Sequence, residues 1–136
     1  MSIAKMQAIC DVLASPAINV GYDQWQRWSF YNQTKKSFIP NMETDCSASC
    51  GAIAHAAGYP IDLSDPFSTE TTCAARFKAA GFTLIPVSGW SKDRLFGEVR
   101  AGDFLLGPGH IVFCRKADLW WSAEQDEKLR AEFGEA

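Results

Sequence analysis

Apolar residues recur at helical spacing near the start of the chain. Ile3, Met6, Cys10 and Leu13 mark one face of a short amphipathic helix. The pattern stops near Ser15-Pro16, where proline cannot continue a helix. Residues 19–42, "NVGYDQWQRWSFYNQTKKSFIPNM", mix aromatic and polar positions without a period. They predict a long, partly ordered connection with one helical turn around Gln24–Trp28. From about Asp45 to Ala57 the helical period returns. Cys46, Cys50, Ile53, Ala54 and Ala57 share a stripe, and Gly58 suits the position after the helix. A further helix is expected from Thr69 to Ala80, with Ser68 as N-cap and Gly81 as its stop.

Beyond Gly81 the texture becomes β-like. "FTLIPV", "DFLL", "HIVFC" and "DLWW" are short apolar runs separated by turn residues. Helices followed by a small antiparallel sheet predict an α+β fold. In "HIVFC", His110, Val112 and Cys114 share one face, and Ile111 and Phe113 the other. A hairpin turning over Arg115-Lys116-Ala117 would pair Cys114 with Asp118 and set His110 opposite Ser122. Glu124 would then be a diagonal neighbour. The tail from Ser122 also carries helical signals: Ser122 with Gln125 fits a capping box, and Glu124 with Lys128 an ion pair.

Composition narrows the function classes. With 136 residues, nine Phe and five Trp, the chain suits one domain with a real core, so a single domain over 1–136 is expected. Its net charge of −3, without a basic cluster, argues against nucleic acid as partner. The first residues form a poor signal peptide, because Asp11 interrupts the apolar run. No segment could span a membrane. Five cysteines is an odd number, which predicts mostly free thiols made in a reducing compartment.

The cysteines and histidines can then be sorted. Cys46 falls in the first turn of its helix, where partial positive charge and unpaired N–H groups favour a thiolate. Cys50, one turn deeper, looks like packing. His55 is nine residues beyond Cys46 and points off the opposite face, so it cannot serve as its base. That leaves His110. A nucleophilic cysteine on a helix start with a histidine on a strand fits covalent catalysis when helix packs on sheet. A zinc module built on Cys46, Cys50 and Cys73 with a histidine is weaker, since no second close Cys/His pair exists. A non-catalytic wall- or sugar-binding module is the remaining alternative, although Trp120 and Trp121 more simply fill a sheet.

Residue identities add to this. "TDCSAS" resembles the "DCSG" signature of the NlpC-type cell-wall peptidases, which are papain-like cysteine hydrolases. "RAGDFLLGPGHIVFC" resembles their following block, and "NVGYDQWQRW" is similar to a Gly-Tyr, Gln and Arg stretch of phage lysins. The resemblance covers roughly residues 19–124. It implies a papain-like fold, Cys46 as nucleophile and His110 as base. The third catalytic position of the family counts to Ser122; Glu124 would stabilise an imidazolium better, and a dyad is a third option. It also implies that Asp45, Ser47 and Tyr22 shape the substrate site, although Asp45 or Thr44 could equally be only the helix N-cap and Tyr22 only core. Ala48 and Ser49-Cys50 depart from the family's glycine and aliphatic pair. The implied activity is hydrolysis of an amide in the peptide stem of bacterial peptidoglycan by a monomer, without metal or cofactor. Such a protein would be made in the cytoplasm and act on the wall after release.

Overall fold

The computed structural model describes residues 2–14, 21–107, 109–116 and 119–121. Helix α1 spans Ile3–Leu13, opened by the Ser2 hydroxyl, which accepts the Lys5 N–H at 3.0 Å. Its buried stripe is Met6, Cys10 and Leu13, as the spacing predicts, while Ile3 is exposed. Burying a Met or Leu side chain contributes about 1.5–3 kcal/mol, enough to dock a helix too short to stand alone.

Helix α2, Cys46–Ala56, is the axis of the molecule and packs against α1 and the central strand of the sheet. All of its residues except His55 are buried. A helix buried all round must be built of small side chains, and "CSASCGAIAHA" is. At Gly51 a Cβ would lie 2.7 Å from Phe67 Cζ and 2.8 Å from Leu63 Cδ2, so only glycine lets the 61–67 segment lie so close. The helix ends in a Schellman turn. Gly58 adopts φ +96°, its N–H bonds the His55 carbonyl at 3.0 Å, and the Tyr59 N–H bonds Ala54 at 3.1 Å.

The 19–42 connection holds more order than its sequence suggests. Strand β1, Gly21–Tyr22, pairs in parallel with β4, Glu43–Thr44. A 3₁₀ turn covers Gln24–Gln26, and β2, Tyr31–Asn32, pairs antiparallel with β3, Ser37–Phe38. These two-residue strands set the entry to α2. Helix α3 is shorter than expected, Cys73–Ala79. The Ser68 carbonyl accepts N–H groups from Thr71, Thr72 and Cys73, which makes turns of the stretch expected to open the helix. A helix without a counterpart in the sequence reading, α4, covers Lys92–Glu98 under a Ser91 cap.

Strands β5, Phe104–Gly107, β6, His110–Lys116, and β7, Leu119–Trp121, form the antiparallel sheet in that order. The fold is therefore α+β. Residues 82–87, expected to be β-like, are not a strand, and Leu84 and Ile85 there are exposed. The second hairpin is two residues off the expected register: Cys114 pairs with Trp120, not Asp118, with an irregularity between Cys114 and Lys116. Both faces of β6 are covered. Ile111 and Phe113 join the main core with α2, while Val112 and Cys114 pack with Phe96, Val99 and Leu105.

Candidate active site

Asp45 ends β4's extended backbone and becomes the N-cap of α2, its Oδ1 accepting the Ala48 N–H at 2.9 Å. Cys46 is therefore the first helical residue, 8% exposed. Asp45 is itself buried, and a buried carboxylate needs a partner. Arg27 supplies it: Nε lies 2.9 Å from Oδ2, and Nη2 donates to Oδ1 at 3.1 Å. The same Nη2 also donates to the Ser47 hydroxyl and, at 2.6 Å, to the Phe67 carbonyl. Ser47 in turn donates toward Asp45 Oδ1 and the Phe67 carbonyl, both at 3.3 Å. One guanidinium thus ties the helix cap, the residue after Cys46 and the 67–70 loop together.

These groups surround a cleft of about 400 Å³ lined by Trp25, Arg27, Asp45, Cys46, Ser47, Phe67, Ser68, Thr69, Glu70 and Gly109. Asp45, Cys46 and Ser47 are brought together there. His110 follows Gly109, a residue of the cleft wall, and is 6% exposed. As the first residue of β6 it sits at the end of the strand next to the cleft. The backbone of Tyr22 pairs with Thr44, two residues before Cys46; its side chain lies outside the described residues. Ser122 and Glu124 also lie outside them.

The remaining thiols are held differently. All five cysteines are buried as thiols. Burial pushes the Cys50 thiol well above its ordinary value, and the neighbouring Cys46, Cys10, Cys73 and Asp45 add to the rise. Its Sγ faces the Ile111 carbonyl at 3.9 Å. Burial also raises Cys73, to about 12, with Cys46 and Asp45 adding and Arg27 and Arg76 opposing. His55 stands on the far side of α2, its Nδ1 2.7 Å from the Tyr31 hydroxyl. Among the described residues no three His, Cys, Asp or Glu side chains are grouped to hold a metal ion, and no helix is long and apolar enough to cross a membrane.

Arg27 is the residue that sequence reasoning assigned no role. Its only signal was the Arg of "NVGYDQWQRW", and its partner Asp45 is 18 positions away.

With this geometry in hand, comparison with known proteins decides the family. The model of the endolysin-like domain matches residues 2–118. The chain belongs to the endolysin-like domain family. No curated protein and no solved structure matches it. The match runs from the start of α1 to beyond the end of β6, so the capped cysteine, the Arg27 clamp and the His110 strand all fall inside the endolysin-like domain.

Proposed function

We propose that this endolysin-like chain is a peptidoglycan hydrolase of NlpC type, cutting an amide of the peptide stem with Cys46 as nucleophile and His110 as base. The observation that carries the reading is the setting of Cys46: the first residue of a capped helix, on the wall of a polar cleft. Three physical features support it. The helix start offers positive potential to a thiolate. The Asp45 charge beside Cys46, which would oppose a thiolate, is matched by Arg27. The cleft opens the cysteine to a substrate, whereas Cys50 and Cys73 stay in the core.

In the reaction, His110 takes the Cys46 thiol proton and the thiolate attacks the amide carbonyl carbon. The tetrahedral oxyanion is received by N–H groups at the helix start. The Cys46 backbone N–H, at the start of the helix, is the donor assigned to the oxyanion. Collapse breaks the C–N bond, and imidazolium protonates the leaving amine, leaving a thioester. Water, deprotonated by His110, attacks the thioester and releases a carboxylic acid, and the thiol is restored. Asp45 and Ser47 hold the helix start, and Tyr22 is assigned to the substrate side. Ser122, Glu124 or neither orients His110. No metal or cofactor enters this scheme, and the catalytic unit is the single domain, acting on the wall as a monomer. Digestion of purified sacculi tests it: wild type should release stem fragments with new amine ends, and Cys46→Ala should release none.

A further inference from the structure

Trp25 is 97% exposed. A single exposed apolar side chain is ordinary on a protein surface, but this one is placed unlike the others. Its backbone is fixed on both sides. The Trp25 N–H is held by Asp23 Oδ1 at 2.9 Å, Asp23 N–H bonds the Thr44 carbonyl at 3.1 Å, and two residues on Arg27 is locked to Asp45. The indole therefore stands on a rigid mount, in solvent, on the wall of the cleft that contains Cys46.

The rest of the cleft has a complementary composition. Ser68, Thr69 and Glu70 line it with hydroxyls and a carboxylate, and Glu70 Oε1 lies 3.9 Å from where a Cβ on Gly109 would sit. A cleft of about 400 Å³ falls within the roughly 300–1,000 Å³ typical of small-ligand sites. An exposed aromatic ring sharing one cleft with hydroxyl and carboxylate groups matches one chemical class in particular. A pyranose has an apolar C–H face to lay on an indole and an edge of hydroxyls to hydrogen-bond. An extended peptide offers no such flat face.

We infer that Trp25 is the stacking platform of a saccharide subsite, which takes an N-acetylhexosamine ring of the glycan strand against the Ser68–Glu70 wall. The inference rests on the peptidoglycan reading above for the identity of the polymer, and the cleft then holds sugar and scissile stem together. It assigns Trp25 to substrate binding, not to chemistry.

The test separates binding from turnover by using Cys46→Ala protein. Glycan strands stripped of their peptides, and chitotetraose as a defined probe, are titrated calorimetrically into Cys46→Ala, Cys46→Ala/Trp25→Ala and Cys46→Ala/Trp25→Tyr. Trp25 is exposed, so these variants should fold, and circular dichroism checks that they do. The expected result is binding by Cys46→Ala, about tenfold weaker binding with alanine at position 25, and largely retained binding with tyrosine. In the active background Trp25→Ala should raise KM for sacculi by a clearly larger factor than KM for a glycan-free stem peptide. No binding of either probe, equal affinity with and without the indole, or equal loss on the glycan-free peptide overturns the subsite. Glycan binding through Trp25 by a wild-type protein that cleaves nothing upholds the subsite and overturns only the hydrolase reading.

Discussion

Arg27 grips the N-cap of the cysteine helix: its Nε and Nη2 lie 2.9 and 3.1 Å from the two carboxylate oxygens of Asp45. This paired contact puts a planar guanidinium on a buried carboxylate, a geometry lysine cannot copy. Arg27→Lys should therefore behave more like Arg27→Gln than like wild type. Removing one partner of a largely buried ion pair costs roughly 3–5 kcal/mol at full burial. The Arg27 side chain is 18% exposed, so a loss toward the lower end is expected. Thermal melts measure it. The iodoacetamide reactivity of Cys46 against pH should also move toward higher pH, because the Asp45 charge is no longer matched. A reactivity profile unchanged in folded Arg27→Gln would reduce Arg27 to a purely structural brace.

Thiol reactivity should be selective. A thiol whose pKa is raised stays protonated, and so un-nucleophilic, at every pH below it. Cys73, pushed to about 12, and Cys50, pushed well up, should resist iodoacetamide at neutral pH until the protein unfolds. Cys46 should be labelled first. Peptide mass spectrometry after brief alkylation reads the order, and early labelling of Cys50 would contradict it.

Gly51→Ala tests the close approach behind the cleft. Alanine has the better helix propensity by about 1 kcal/mol. Its methyl would, however, meet Phe67 at 2.7 Å, and overpacking a core costs typically about 1–3 kcal/mol. Phe67 is fully buried, and its carbonyl anchors Arg27 and Ser47. Lower stability together with lower wall-lysing activity is expected. A stabilised, fully active variant would show that the 61–67 segment gives way freely.

Tyr31 and His55 form a pH-sensitive contact away from the cleft. Burial raises the Tyr31 hydroxyl, so it stays protonated and donates to Nδ1 of a neutral His55. Burial, and then Lys36, lower the His55 pKa below its ordinary 6.5. The unfolded chain therefore takes up this proton first as pH falls. The contribution is present above about 6.5 and is lost on acidification through the interval down to the folded value. Melting temperature should drop from pH 7.5 to 5.5, and His55→Gln should flatten that drop. An identical slope in the variant would assign the acid sensitivity elsewhere.

Much of this was readable from residue patterns, and the failures have physical causes. The periodic stripe gave away α1, and "TDCSAS" followed by Gly58 marked both ends of α2. The strands from β1 to β4 are two residues each, too short to show a period, and their pairing is set by chain segments up to about twenty residues apart. The apolar "FTLIPV" suggested a strand, but Leu84 and Ile85 stay exposed and no neighbour pairs with them among the described residues. The cleft was only half legible. Asp45, Cys46 and Ser47 announce themselves as a motif, whereas Arg27, Phe67 and Glu70 reach it only through tertiary folding.

The hairpin register changes the expectation for the group behind His110. With Cys114 opposite Trp120, the count that set Ser122 across from His110 no longer applies. A carboxylate holds an imidazolium by roughly 1.5–3 kcal/mol, against about 1 for a neutral hydroxyl. Glu124→Gln is therefore predicted to slow turnover more than Ser122→Ala, which should cost about tenfold at most. It should also shift the acid limb of kcat/KM to lower pH. If both variants match wild type, Cys46 and His110 act as a dyad.

The most direct measurement is the mass spectrum of muropeptides released from purified sacculi by wild type, Cys46→Ala and Cys50→Ala, each first shown to be folded. Wild type and Cys50→Ala should release stem fragments ending in a new amine and a new carboxylate, and Cys46→Ala should release none. The same fragments, at the same rate, from Cys46→Ala would contradict the account.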